Sequence, residues 1–154
     1  MKITAQEEYG LRCLLQLAKS SQGEIVRVKD IAAKEGISNA YVEKLLRLLS
    51  RSGLVHSVRG VNGGYVMNRP ASQVMLGEVI RALGTMENTD HICHQYTGQQ
   101  KECVHFTDCG IRSVWSGLTT YIQRFLDETT IESLLDNEYN VAVQIAPRLK
   151  GLLS

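Results

Sequence analysis

Residues 37–65 read ISNAYVEKLLRLLSRSGLVHSVRGVNGGY, and this stretch decides the fold. Ser38 can cap a helix in which leucines recur at helical spacing, and Gly53 ends that helix. Two short strand-like runs follow at 54–59 and 65–68, separated by three glycines that make a flexible hairpin tip. The order of helix, turn, strand, glycine-rich tip and strand predicts a recognition helix followed by a β-wing.

The segments on either side complete a winged helix-turn-helix pattern. Thr4 and Glu7 form a capping box at the start of a first helix, which runs to about residue 20. A second helix is predicted near 29–34, where Gly36 stops it, and a fourth at 75–83 after the wing. We therefore predict a mainly α fold with a small β-wing, consisting of a winged helix-turn-helix domain and a long C-terminal dimerisation helix.

The predicted recognition helix and wing carry residue types that read DNA. A helix fits the major groove, and a basic wing tip can reach the neighbouring minor groove. Asparagine can pair with adenine, glutamate can accept from a cytosine amino group, and basic side chains suit phosphates. The predicted contact residues are Ser38, Asn39, Ala40, Glu43, Lys44, Arg47, Arg51, Arg59, Asn62 and Gly63. The alternative for each charged residue is a solvated surface charge, and Arg59 is the one for which DNA contact is favoured.

The charge of the 154-residue chain is divided unevenly, although its net value is only +1. Residues 1–70 carry 11 Lys and Arg against 6 Asp and Glu, whereas residues 71–154 carry 6 against 10. A basic first half fits attraction to phosphate. The plain alternative is ordinary surface scatter.

Several classes of protein are not indicated by the sequence. No apolar stretch approaches the roughly 18 residues of a membrane span, and the first ten residues lack the apolar centre of a signal peptide. A cytoplasmic protein without membrane association is therefore expected, and its four cysteines are not expected to form disulfides. We find no nucleophile–base pairing and no phosphate-binding loop, so an enzyme is not predicted.

Three of the four cysteines, Cys93, Cys103 and Cys109, suggest what the protein senses. Residues 87–108 lack apolar periodicity, and so long an irregular loop indicates a function or a ligand. Nine residues separate Cys93 from Cys103 and five separate Cys103 from Cys109, which is not the short C-x-x-C of structural zinc sites. Three thiolates in a polar loop favour an iron–sulfur cluster, while zinc and bare redox-active thiols stay open as alternatives. Cys13 lies beside the leucines of the first helix and is expected to be a buried apolar side chain.

The strongest helical stripe in the chain follows this loop and is formed by Ile111, Val114, Trp115, Leu118, Tyr121, Ile122 and Phe125. We expect it to pack against a second subunit, the alternative being its own domain. Thr129 and Glu132 then suggest a capping box for a short helix. The predicted organisation is a winged domain at 1–84, a cysteine-containing cluster loop at 85–110, a dimerisation helix with a following short helix at 111–135, and a C-terminal tail at 136–154.

The wing segment GLVHSVRGVNGGY, the preceding helix ISNAYVEKLL and the opening MKIT carry a family resemblance. Over roughly residues 1–135 the chain resembles the bacterial winged-helix iron–sulfur and redox transcriptional regulators typified by IscR and NsrR. The resemblance implies a homodimer that pairs through the helix from Ile111 to about Glu128 and binds palindromic operators in double-stranded DNA. It also implies a 2Fe-2S or 4Fe-4S cluster held by Cys93, Cys103 and Cys109.

Some site residues follow from this resemblance alone. Glu43 and Arg59 match positions that contact DNA in relatives. The position three after Cys109 is Arg112, where an IscR-like protein would offer a histidine ligand. NsrR-like members use an acidic residue in the partner's first helix, and Glu8 matches it. Glu8 could instead serve as a carboxylate favoured by the helix dipole, and the competing fourth ligands are His91, His94 and His105. The implied function is a regulator whose DNA affinity reports iron–sulfur status, nitric oxide or redox stress.

Overall fold

The computed structural model describes residues 3–84 and 98–151. These parts of the chain form α1 Ala5–Ala18, α2 Val28–Glu35, α3 Asn39–Arg51, β1 Val55–Val58, β2 Gly64–Met67, α4 Leu76–Leu83, α5 Gly110–Asp127 and α6 Glu138–Gly151. Short 3-10 helices lie at Ala71–Gln73 and Glu132–Leu134. Among the helices described, none is long and apolar enough to cross a membrane. The predicted winged helix-turn-helix with a small wing is confirmed.

Local capping signals set the first three helices. The Thr4 hydroxyl accepts from the Glu7 backbone N–H at 3.2 Å, and the Glu7 carboxylate accepts from the Thr4 N–H at 2.7 Å. The predicted capping box is therefore present. Gly36 ends α2 at φ 67, a left-handed conformation that glycine adopts without strain. Ser38 caps α3 by accepting from the Tyr41 N–H at 3.2 Å.

One apolar core joins α1, α2, α3, α4 and the base of the wing. The largest fully buried side chains are Leu14, Ile31, Leu45, Leu46, Leu49, Leu54, Leu83, Ile131, Val42, Val55, Val74 and Val79. Cys13 lies among them with no exposed surface, as expected from the sequence. Because this core is closed by residues from α1 to α4 and by Ile131, it does not need the first half of α5.

The wing is an antiparallel hairpin, and the segment before α2 pairs with its second strand. β1 and β2 pair from Val55 opposite Met67 to Val58 opposite Gly64. Val26 then exchanges two backbone hydrogen bonds with Tyr65, at 3.0 and 2.9 Å, so the chain before α2 is tied to β2. This edge fixes the wing against the helical core.

Within the described residues, α5 is attached to the winged domain through its C-terminal half and the residues that follow it. There the Leu76 N–H donates to the Thr129 carbonyl at 2.7 Å, and the Ile131 N–H donates to the Val74 carbonyl at 2.9 Å. Arg81 on α4 also pairs with Asp127 at 2.8 Å. None of the residues of α5 is buried. The second half of the helix is therefore fixed to α4 and the segment before it.

The expected capping box at Thr129 and Glu132 is wrong. The short helix here is the 3-10 turn Glu132–Leu134, which starts after Ile131. Thr129 is buried, and its hydroxyl donates to the Phe125 carbonyl at 2.7 Å instead of capping the turn. The C-terminal segment, for which the sequence showed no clear signal, contains α6.

Candidate DNA interface and cysteine site

The exposed face of α3 carries the predicted recognition residues. Its buried face is formed by Val42, Leu45, Leu46 and Leu49. Seven of the ten predicted contact residues lie on or just before α3, and all but the half-buried Glu43 are exposed: Ser38, Asn39, Ala40, Glu43, Lys44, Arg47 and Arg51. The helix thus presents a polar surface on the side away from the core. DNA contact by these side chains stays a prediction.

Glu43 and Arg47 form an ion pair along α3. The Arg47 guanidinium donates to the Glu43 carboxylate at 2.9 Å, one helical turn away. Such exposed pairs contribute about 0.3–0.5 kcal/mol. Separating the two side chains therefore costs little.

The wing holds Arg59, Asn62 and Gly63. Arg59 directly follows β1 and is exposed. The Asn62 side-chain oxygen accepts from Arg27 at 2.7 Å, and Arg27 lies immediately after the wing-paired Val26. The tip is therefore braced against the start of α2. Sequence reasoning missed Arg27, although a basic residue in the short extended piece before α2 was a usable signal.

A tight turn shapes the wing tip at Gly63. The Gly63 N–H donates to the Gly60 carbonyl at 2.9 Å. A Cβ at Gly63 would lie 2.3 Å from the Val58 carbonyl oxygen, so only glycine fits without movement. Gly60 itself has φ 122, outside the range that side chains favour. The position of Arg59 in the hairpin depends on this turn.

Two of the three predicted cluster ligands lie in the described chain. Cys103 and Cys109 are half-buried, whereas every other residue from 98 to 112 is exposed. Cys109 is the residue before α5. Cys93, His91 and His94 lie outside the described residues. Sulfur donors in a polar surface segment suit an iron–sulfur cluster, so the residues present fit such a group.

The buried Cys13 contrasts with these two thiols. Burial, with a smaller contribution from the nearby Glu35 carboxylate, raises the pKa of the Cys13 thiol to about 12. A thiol with such a pKa stays protonated at neutral pH and is a poor ligand and nucleophile. Cys13 therefore belongs to the core and not to the cysteine site.

Arg112 binds the segment between Cys103 and Cys109. Its guanidinium donates to the His105 carbonyl at 3.3 Å and to the Phe106 carbonyl. The same group lies 5.6 Å from the centre of the Phe106 ring. The sequence shows that position 112 is not a histidine. It does not indicate the contacts of Arg112 with the backbone carbonyls or the Phe106 ring, because these cannot be deduced from spacing.

Glu8 lies near the start of α1. It is exposed in α1 and accepts from Arg12 at 3.0 Å. Across residues 3–84 and 98–151, no three His, Cys, Asp or Glu side chains are grouped to hold a metal ion. The fourth-ligand role of Glu8 stays a prediction.

α1 also contacts the end of α4. The Gln6 side-chain amide donates to the Leu83 carbonyl at the end of α4. The start of α1 is thus attached to the end of α4. Sequence reasoning did not find this contact.

The first half of α5 presents an uncovered apolar surface. The exposed fractions are 66% for Ile111, 66% for Val114, 47% for Trp115 and 48% for Leu118. Among the described residues these four side chains are thus about half exposed or more, and their packing against a second subunit stays a prediction. Tyr121, Ile122 and Phe125, in the attached half, are half-buried.

Comparison with known proteins gives a consistent match over most of the chain. The family described as Rrf2, iron-dependent transcriptional regulator, matches residues 3–137. The transcriptional regulator IscR of Vibrio atlanticus is 36% identical over 140 residues, which is 90% of this chain and 78% of that protein. Such relatives are DNA-binding regulators rather than enzymes.

Solved structures share the fold. CymR (YrzC), the global cysteine regulator of B. subtilis, superposes with a TM-score of 0.71 and 29% identity, covering 88% of this chain and 96% of CymR. T. potens IscR gives a TM-score of 0.68 and 30% identity, covering 88% of this chain and 86% of that one. Neighbours of this fold thus include regulators with different names and signals.

Proposed function

This chain belongs to the Rrf2 family of transcriptional regulators, and we propose that it is a homodimer whose DNA affinity is controlled by an iron–sulfur cluster. One observation carries the proposal. The half-buried Cys103 and Cys109 lie at the start of α5, whose first half is apolar and exposed and whose second half is fixed to the winged domain. A change at the cysteines is thereby connected to the DNA-reading surface.

The DNA-binding step uses α3 and the wing. We propose that Asn39, Ala40 and Glu43 face base edges in the major groove, and that Arg59 reaches the neighbouring minor groove or its phosphates. Two copies related by a twofold axis would read half-sites about 34 Å apart, so the operator is a palindrome. Asn39, Ala40 and Arg59 are exposed and Glu43 is half-buried, which supports the assignment.

The dimer is proposed to form through α5. Ile111, Val114, Trp115 and Leu118 recur at helical spacing on a helix of 18 residues, about 27 Å long. Roughly half or more of each side chain is in water, which is unfavourable for so large an apolar stripe. A second copy offers the same stripe and can cover it.

The cluster is proposed to be held by Cys93, Cys103 and Cys109. When bound, it supplies an oxidation-sensitive centre that ties the cysteine segment to the dimer. Glu8 of the partner subunit is the proposed fourth ligand, because NsrR-like members use an acidic residue in the partner's first helix and Glu8 is exposed in α1. A carboxylate is a weak ligand for iron beside thiolates, and a small molecule can displace it.

The coupling to DNA is proposed to pass along α5. The Arg81–Asp127 ion pair and the backbone bonds from Leu76 and Ile131 hold the second half of α5 to the winged domain. Ordering of the cysteine segment would then set the separation of the two recognition helices, to which binding at 34 Å spacing is sensitive.

A second candidate keeps DNA binding but uses the thiols directly. CymR shares this fold and is described as a global cysteine regulator. Cys103 and Cys109 are free thiols with partial exposure, which suits oxidation as a signal. His105 beside Cys103 would also suit a zinc site.

The test is iron and acid-labile sulfide analysis of protein purified without oxygen, followed by DNA binding with and without the cluster. Iron and sulfide at about two or four per subunit, together with an altered operator affinity on cluster loss, support the proposal. Colourless protein that resists reconstitution refutes it and favours thiol or zinc sensing. Equal binding by loaded and cluster-free protein refutes control by the cluster.

A further inference from the structure

The segment from Cys103 to Cys109 has a defined shape although it lies on the surface. The Phe106 N–H donates to the Cys103 carbonyl at 2.9 Å and closes a turn. The Arg112 N–H donates to the Cys109 carbonyl at 3.2 Å and begins α5. Phe106 is half exposed, and in the part of the chain that the structure describes this segment is not part of the apolar core.

Arg112 supplies the contact that closes the segment. Its guanidinium bridges the carbonyl oxygens of two successive residues, His105 and Phe106, and stacks near the Phe106 ring. Both hydrogen bonds are donated by one guanidinium nitrogen, Nη2, which lies further from the backbone than the ammonium of a lysine would. The partly exposed ring adds a cation–π contact.

The position of Arg112 is otherwise unfavourable. It is the third residue of α5, and the first turn of a helix carries partial positive charge that disfavours a cation. The first turn of α5 contains no acidic residue to offset this. The carbonyl oxygens of His105 and Phe106 carry partial negative charge, which offsets the repulsion between the Arg112 guanidinium and the start of the helix.

We propose that Arg112 is the positioning residue of the cysteine site, binding the 105–106 backbone so that Cys103 and Cys109 are held at one separation before any ligand arrives. The inference rests on the proposed function, because that site is the cluster site. Where an IscR-like chain would place a ligand, this chain places a group that orients ligands. Such supporting groups change metal affinity about ten- to a hundredfold.

The experiment compares Arg112→Ala and Arg112→Lys with the wild type, and with Arg124→Ala as matched control. Arg124 lies on the same helix and pairs only along it, with Glu128 at 2.8 Å. Each dimer is reconstituted with iron and sulfide, and loss of the visible absorption to an iron chelator is timed. Circular dichroism in the visible region records the cluster environment. Hydrogen exchange of the 103–112 amides is measured on the metal-free proteins.

We expect Arg112→Ala to lose its cluster about tenfold faster or more, with an altered visible dichroism, and to exchange the Phe106 amide faster. Arg112→Lys should recover part of the lifetime, because its shorter ammonium side chain can still donate to a carbonyl but lacks the planar group beside the Phe106 ring, and Arg124→Ala should match the wild type. Wild-type lifetime and dichroism in Arg112→Ala would overturn the inference.

The two proposals fail in different ways. A wild-type protein that takes up no cluster removes the proposed function, and the exchange measurement then decides the inference alone. In that case unchanged exchange in Arg112→Ala overturns it, and faster exchange confined to 103–112 supports the positioning role. Normal thermal unfolding of each variant shows that the winged domain is intact.

Discussion

Alanine at Gly63 tests the wing without removing a charge. The added Cβ would lie 2.3 Å from the Val58 carbonyl oxygen, 2.9 Å from the Gly60 oxygen and 3.2 Å from the Arg59 carbonyl carbon. A Cβ essentially never lies within 3.0 Å of a non-bonded heavy atom. All three atoms belong to the wing backbone, so the tip has to open and carry Arg59 with it.

The expected effect on DNA binding follows from the loss of the Arg59 contact. Such a contact is worth about 1–3 kcal/mol, so Kd should rise about 5- to 150-fold. The strain is confined to an exposed tip, and Tm should fall by less than about 4 °C, the shift that corresponds to about 1 kcal/mol. The hydrogen bond from Arg27 to Asn62 should weaken at the same time, because Asn62 adjoins the displaced residue.

The assay is fluorescence anisotropy with a duplex that the wild-type protein selects from a random pool. Arg59→Ala is measured beside Gly63→Ala and should give a similar loss, with a log–log salt slope lower by about one. Val61→Ala is the matched control, since Val61 lies in the same tip and is fully exposed. The reasoning is refuted if Gly63→Ala and Arg59→Ala bind the duplex as tightly as the wild type.

Three further predictions concern the cysteines and α5. Cys103→Ala should abolish cluster loading while analytical ultracentrifugation still shows a dimer; retained iron would show that the ligands are different. Leu118→Glu should dissociate the dimer, because it places a charge in the exposed stripe, and an unchanged sedimentation coefficient would remove α5 from the interface. The pKa of Cys13 is raised on folding from 9.0 to about 12, so folding favours its protonated form. Its stabilising contribution is complete below pH 9.0 and is lost as pH rises towards 12, so the stability difference from Cys13→Ala, measured by urea unfolding, should shrink there.

Features governed by neighbouring residues could be predicted from the sequence. The capping box of Thr4 and Glu7, the left-handed Gly36 and the Ser38 cap all involve groups within four residues of each other. Their hydrogen bonds depend on the local backbone alone, which is why the helix limits were predicted within two residues. The Thr129 prediction failed for the opposite reason, since Ile131 is drawn into a core built from distant helices.

Contacts between distant residues could not be predicted in this way. Arg27 and Asn62 are 35 positions apart, and Gln6 and Leu83 are 77 apart. Which partner a long polar side chain finds depends on how the elements pack. Arg112 is only six or seven positions from the two residues that it contacts, Phe106 and His105. However, these contacts require a turn at Cys103, and the sequence has no glycine or proline there to predict it.

The sequence by itself determined the winged helix-turn-helix, the amphipathic character of α3 and α5, and a cysteine segment between them, because periodicity and capping are local properties. The tertiary structure alone decided which apolar face stays in water. Leu83 and Ile131 close the core with α1 to α4, and Leu126 and Asp127 hold the second half of α5. Within the described residues, the side chains of Ile111, Val114, Trp115 and Leu118 are left about half exposed or more. An apolar stripe has the same sequence pattern whether it packs in the core of its own domain or against a second subunit. The two cases are distinguished by which space the other elements already occupy.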